Sequence, residues 1–299
     1  MTQTPRAQPV LDAAPAPPGW ISWQGRVLRN ERLPGKRHHY AVIEVPGESP
    51  TPASGQFYML APGGDASEFH LRRPMSVARA WRERGTLRLG FLYTVLGAGT
   101  RDLAAAGEEW RLLGPLGHGY EVPPDAKPFL VGGGRGIAPL VLLAEECAAR
   151  GQAVALLNGA RNAEEFVSAE DLKAAPFATG SLRRQTTEDG SIGRRGRVLD
   201  GLADPEIADW IRDPGAIFYA CGPHGLLEAV GLEARRSGRP AQVALEAHMA
   251  CGAGICRSCV VPRAEGSPVP PGATNARYIL ACLDGPVVDP ASVDWKHAP

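Results

Sequence analysis

Three cysteines within nine residues constrain this chain more than any other feature. Cys251-Gly252-Ala253-Gly254-Ile255-Cys256-Arg257-Ser258-Cys259 has the spacing C-x4-C-x2-C, and a fourth cysteine follows at Cys282. This is the plant-type ligand spacing of a [2Fe–2S] cluster. Four thiolates neutralise and hold two irons, and a loop wrapped around that group must turn its backbone N–H groups toward the sulfurs. Gly252 and Gly254 are able to take the positive φ angles that such a wrap needs. Ala253 and Ser258 are small enough to leave room.

Other readings of the cysteines are weaker. A zinc site draws its ligands in C-x2-C or H-x3–5-H pairs; only Cys256 and Cys259 fit, and no His lies near Cys282 along the chain. Disulfides are not expected in a chain whose start, MTQTPRAQPVLDAAPAPPGW, lacks a hydrophobic signal core. Unligated core cysteines would not cluster beside two glycines. Cys251, Cys256, Cys259 and Cys282 are therefore the expected metal ligands, in a segment that resembles the cluster loop of ferredoxins.

The 299 residues suggest two domains. Lys+Arg and Asp+Glu balance at 32 each, which gives no reason to expect a nucleic-acid surface or a polybasic membrane face. No apolar run has the length of a membrane span. A cytoplasmic protein is expected.

Residues 1–18, rich in Pro and Ala, read as a disordered tail. Over 19–122, short alternating segments such as HHYAVIEV and TLRLGFLYTV predict a six-stranded antiparallel β-barrel domain. Thr100 is the expected N-cap of a short helix there. From 123 to 244 the pattern changes to alternating strands and helices, which implies a doubly wound parallel-sheet α/β domain. Strands are expected at 127–131, 153–157, 182–186, 216–220 and 242–245, and helices at 137–150, 163–174 and 223–236. Residues 245–299 form a cysteine-bearing C-terminal segment, with a Pro/Gly-rich loop over 262–277.

Three motifs point to anionic cofactors. Arg73-Pro74-Met75-Ser76 is followed some twenty residues later by Leu92-Tyr93-Thr94-Val95-Leu96-Gly97-Ala98-Gly99-Thr100. There a strand runs through glycines into a helix N-terminus, whose N–H groups and dipole suit a pyrophosphate. Gly132-Gly133-Gly134-Arg135-Gly136 again joins strand to helix, and glycines let a backbone approach a dinucleotide closely. Cys221-Gly222-Pro223 is a third such strand end; its thiol, taken alone, reads as inert and buried.

In order along the chain, these motifs together with G-P-L-G, D-G-S-x-G and the cysteine loop resemble the ferredoxin–NADP reductase superfamily. More narrowly, they resemble the electron-transfer subunits of NAD-dependent (type B) dihydroorotate dehydrogenase, over about residues 20–290. The resemblance implies FAD in the barrel, NAD(H) on the α/β domain and [2Fe–2S] at the C-terminus. It assigns Arg73 to FAD phosphate and Pro74, Met75 and Ser76 to the flavin ring. Leu92, Tyr93 and Thr94 would flank the cofactor, and Gly99 and Thr100 would bind its phosphates. Gly132, Gly133, Gly134 and Gly136 would face the NAD pyrophosphate, and Cys221, Gly222 and Pro223 the nicotinamide.

The implied partner is a separate FMN-containing dihydroorotate dehydrogenase catalytic subunit, in a heterotetramer. No acid–base pair is needed for hydride transfer, and no catalytic residue is assigned. A paralogous NAD(P)H:ferredoxin, hydrogenase or sulfide-reductase subunit would carry the same motifs, and a structural zinc-binding interaction module is the alternative from another class. Arg135 stands where the family usually has an apolar residue, and the loop between Cys259 and Cys282 is longer than the resemblance leads one to expect.

Overall fold

The computed structural model describes residues 21–63 and 71–298; the expected tail over 1–18 lies outside them. Period-two alternation builds the first half. β1 (Ser22–Arg32), β2 (His38–Val45), β3 (Phe57–Pro62), β4 (Arg73–Glu83), β5 (Thr86–Thr94) and β6 (Glu109–Leu116) close an antiparallel barrel in the order β1-β2-β5-β4-β3-β6. Ile43, Tyr58, Leu60, Val77, Phe91 and Trp110 are among the residues that fill it. The β4–β5 hairpin turns on Arg84 and Gly85, at φ 50° and 81°. Two successive positive φ values give the turn a twist that matches its strands.

α1 (Ala98–Ala105) joins β5 to β6, and its N-cap is Gly97, not Thr100 as the sequence suggested. Gly97 has no side chain to cap with. The Thr100 hydroxyl, one turn in, instead accepts from the Leu96 and Gly97 amides at 2.9 and 3.2 Å.

In the second half, β7 (Lys127–Gly133), β8 (Ala155–Ala160), β9 (Leu182–Thr187), β10 (Arg194–Arg195), β11 (Ala216–Cys221) and β12 (Ala241–Ala244) form a parallel sheet in the order β10-β9-β8-β7-β11-β12. α2 (Ile137–Ala149) shares a core with Leu130 and Tyr219 on one face. α3 (Pro205–Arg212) and α4 (His224–Ser237) share another with Phe129, Val131 and Phe218 on the opposite face. The sheet is thus wound on both sides, and the strand order reverses between β7 and β11. In open sheets of this kind, ligands bind at the carboxyl ends of the strands at that reversal.

Two helix expectations differ from the structure. Over 163–174 there are turns, because Ser168 and Asp171 bond each other's backbone amides at 2.9 and 3.1 Å, which competes with helical bonding. α3 was not anticipated, although Asp204-Pro205 is a start signal. The Asp204 carboxylate accepts from the amides of Glu206 and Ile207, with Pro at the first helical position.

The C-terminal segment folds back onto both halves. β13 (Val260–Pro262) pairs antiparallel with β14 (Tyr278–Leu280), and β15 (Val287–Val288) adds antiparallel to β12. The barrel meets the sheet through α2, which packs on β4. There Arg79 and Glu145, 12% and 4% exposed, pair at 2.8 Å.

Candidate functional site

A cavity of about 470 Å³ opens between the two halves. Arg73, Pro74, Met75, Ser76, Leu92, Tyr93, Thr94 and Thr100 line it from the barrel side, and Arg135, Pro139 and Cys221 from the sheet side. These are residues from all three sequence motifs. Arg73 donates to the Leu71 carbonyl at 2.7 Å, and its guanidinium lies where a Cβ on Gly99 would sit, 2.2 Å from Nη2. Glycine there lets a cation rest directly on the N-terminus of α1, a combination suited to a phosphate.

Gly132, Gly133, Gly134, Gly136, Gly222 and Pro223 do not line this cavity. They stand at the β7/β11 reversal, where the two loops touch: a Cβ on Gly136 would lie 2.1 Å from the Cys221 carbonyl. The glycines thus serve the packing of loop on loop as well as an open approach from outside. Burial pushes the Cys221 thiol well above its ordinary pKa, so it stays protonated and inert.

A chain of buried polar groups crosses the seam. Arg135 Nη1 donates to Thr94 Oγ1 at 3.3 Å, and Thr94 Oγ1 lies 2.6 Å from His38 Nδ1. His38 Nε2 lies 3.0 Å from the Glu165 carbonyl. A carbonyl only accepts, so Nε2 carries the hydrogen. Burial lowers the His38 pKa, so the ring is neutral and Nδ1 accepts from the Thr94 hydroxyl. The direction of every bond from Arg135 inward is therefore set.

Beside the cavity the cysteine loop wraps as its spacing requires. Gly252 and Gly254 hold φ 70° and 73°. Cys251 Sγ accepts from the amides of Ala253 and Cys256 at 3.3 and 3.4 Å, and Cys282 Sγ from that of Gly254 at 3.2 Å. The Ser258 hydroxyl and amide pull the exposed Cys256 thiol down to about 6. Cys259 and Cys282 stand 3.2 Å apart and share a proton, so one ionises readily and the other resists.

Among the described residues no three His, Cys, Asp or Glu side chains converge as a mononuclear metal site would require. The thiols fall instead into two pairs, Cys251 with Cys256 and Cys259 with Cys282, the division that two irons ask for. The β13–β14 pairing, with Val260 opposite Leu280, is what brings Cys282 beside Cys259. The length of the intervening loop is therefore immaterial. Phe57, Met59 and Leu116 of the barrel pack with Cys259 and Cys282 in one apolar cluster, and Phe57 also lines the cavity.

Comparison with known proteins agrees with this geometry. Residues 246–294 match the iron–sulfur cluster binding domain of dihydroorotate dehydrogenase B, and residues 130–231 the oxidoreductase NAD-binding domain. The dihydroorotate dehydrogenase B (NAD(+)) electron transfer subunit of Listeria monocytogenes is 35% identical over 249 residues, 81% of this chain and 86% of that protein. Its counterpart in Geobacillus thermodenitrificans is 36% identical over 239 residues, covering 78% and 83%. The chain belongs to this family of electron-transfer subunits.

Solved structures place the family within a wider fold. The NADH-dependent reduced ferredoxin–NADP oxidoreductase, studied for flavin-based electron bifurcation, superposes with TM-score 0.70 at 25% identity, over 92% of this chain and 91% of that one. A ferredoxin–NADP+ reductase from Neisseria gonorrhoeae, with bound FAD and NADP, shares the fold at TM-score 0.57 and 21% identity, over 73% and 92%. As a family member the chain is an oxidoreductase electron-transfer subunit with an NAD-binding domain and an iron–sulfur cluster binding domain. The zinc alternative is set aside, and the donor set of four thiols with backbone amides fits the cluster.

Sequence reasoning missed part of the cavity wall: Phe57, Glu246, His248 and Trp295. None carries a motif, and each arrives through strand pairing or the return of the C-terminal segment. Met249 both packs beside the cysteines and lines the cavity.

Proposed function

We propose that the chain carries electrons between NAD(H) and the FMN-containing catalytic subunit of a dihydroorotate dehydrogenase, in pyrimidine biosynthesis. The working assembly is a cytoplasmic heterotetramer. The observation that carries this reading is the single apolar cluster joining the cavity to the cysteines through Phe57. It supplies an apolar connection between a two-electron site and a one-electron site.

Bound FAD would exchange an electron pair with nicotinamide and single electrons with the cluster. The remaining roles fall to the protein. Arg73, Gly99 and the α1 amides hold the flavin pyrophosphate, with Thr100 keeping the first turn in place. Pro74, Met75, Ser76, Leu92, Tyr93 and Thr94 wall the ring. Gly132, Gly133, Gly134, Gly136, Gly222 and Pro223 receive the dinucleotide at the β7/β11 reversal, next to Cys221. Cys251, Cys256, Cys259 and Cys282 ligate the cluster. The outer edge of their loop, where Ile255 is 70% exposed, meets the partner. The corresponding division is a tail over 1–18, a flavin barrel over 19–122, a nucleotide domain over 123–244 and a cluster segment over 245–299. A reducing cytoplasm, where thiols stay unpaired, suits four cysteine ligands.

Cys256→Ser separates the two halves of this scheme, because a poorly ionised hydroxyl replaces a soft thiolate ligand. With NADH in a stopped-flow mixer, the variant should still bleach its flavin while electron delivery to the catalytic subunit collapses. Wild-type delivery from a folded, flavin-loaded, cluster-free variant would make the cysteine loop structural. The likeness to a ferredoxin–NADP oxidoreductase keeps a second reading in view, in which ferredoxin is the partner. Co-purification of the chain with ferredoxin, and not with a dihydroorotate-oxidising subunit, would select it.

A further inference from the structure

The structure gives Arg135 a defined place. It follows β7 in the glycine loop, yet its guanidinium turns to the barrel and donates to Thr94 Oγ1 at 3.3 Å. It lines the cavity together with Tyr93 and Thr94 on one side and Cys221 on the other. Among the described residues it forms no ion pair: the Glu165 carboxylate, at the far end of the chain of bonds, is taken up by Arg37 and Arg161. The exposed Glu246 is the other charge felt by Cys221. Arg135 thus brings a positive charge with no direct carboxylate partner to the wall of a cavity shared with Glu246, and away from bulk water Coulomb interactions are stronger.

We infer that Arg135 is a fixed cation that favours the reduced over the oxidised form of the flavin bound in this cavity. The inference rests on the proposed function. The charge bookkeeping is general chemistry. A hydride carries two electrons and one proton, so the nicotinamide that gives it up becomes a cation and the flavin that takes it up gains one negative charge. A positive charge nearby stabilises that gain without moving a proton. A protein tunes a flavin in just this way, by charge placed near the ring.

The bonds behind Arg135 keep it in place. The Thr94 hydroxyl accepts from Arg135 and donates to His38 Nδ1, while His38 Nε2 donates to the Glu165 carbonyl. The hydroxyl's hydrogen is committed to His38, so a guanidinium that swung away would leave the acceptor side of the buried Thr94 oxygen without its donor. Thr94 and His38 act through Arg135 and are positioning residues.

The test is the two-electron midpoint potential of FAD in the holoprotein, by anaerobic reductive titration against a reference dye. Arg135→Leu should lower the reduced-to-oxidised ratio at fixed poise about tenfold, which is ~30 mV for a two-electron couple. Arg135→Lys, which keeps the charge, should stay near wild type. Thr94→Val should lower the ratio in the wild-type background and have no further effect in Arg135→Leu, whereas Thr94→Ser should leave it unchanged. An unchanged potential in flavin-loaded Arg135→Leu overturns the inference and leaves the proposed function standing. Loss of oxidised FAD from that variant overturns it too, by giving Arg135 an ordinary binding role. A wild-type protein that binds no FAD overturns the proposed function, and this inference with it.

Discussion

At the scale of the residue, Arg73 shows how one position can require two others. Its guanidinium is anchored by the Leu71 carbonyl and lies on α1 only because residue 99 has no side chain. Charge-assisted hydrogen bonds of this kind contribute about 1.5–3 kcal/mol each. Arg73→Ala should therefore weaken FAD retention about tenfold or more, read as the dissociation constant from flavin fluorescence. Arg73→Lys should recover only part of the loss, since a point charge cannot reproduce a forked donor. Equal flavin occupancy in wild type and Arg73→Ala would remove Arg73 from the phosphate site.

At the scale of the element, α2 joins the halves. One side covers Leu130 and Tyr219 of the sheet, and its Glu145 meets Arg79 of β4 and accepts from the Ala175 amide at 2.6 Å. Arg79 in turn stacks over Trp81 at 4.9 Å. Removing one partner of a buried pair leaves the other charge uncompensated, at a cost of about 3–5 kcal/mol. Glu145→Ala should lose stability of that order in urea unfolding, far more than Arg212→Ala, whose partner Asp209 is, like Arg212 itself, exposed. Equal losses from the two substitutions would deny the Arg79–Glu145 pair any part in holding barrel to sheet.

At the scale of the whole molecule, His38 of β2 crosses from barrel to sheet. Desolvation lowers its pKa from 6.5, opposed in part by Glu165 and assisted by Arg135 and Arg37. The unfolded chain therefore takes up a proton on this ring at higher pH than the folded one. The His38 contribution to stability is full above pH 6.5 and is lost as pH falls below it toward the folded pKa. His38→Gln, which cannot titrate, should show a smaller fall in melting temperature between neutral and mildly acidic pH. Parallel pH profiles for the two proteins would place the ring outside this linkage.

The sequence alone settled much about this protein, and for local reasons. Period-two alternation is a property of neighbouring residues, so the barrel strands could be read directly. Cysteine spacing and glycine φ requirements are local too, so the wrap of the loop over 251–259 was legible. Local chemistry also misled, where Ser168 and Asp171 replaced a helix by turns, and where α1 begins at Gly97 with the Thr100 hydroxyl reaching back to the Leu96 and Gly97 amides. Only the tertiary structure decided what meets across the seam. It placed Cys282 beside Cys259 through β13 and β14, brought Phe57, His248 and Trp295 to the cavity, and aimed Arg135 at Thr94. Those contacts join residues far apart in the chain, and strand order and helix packing set them, which no local pattern encodes.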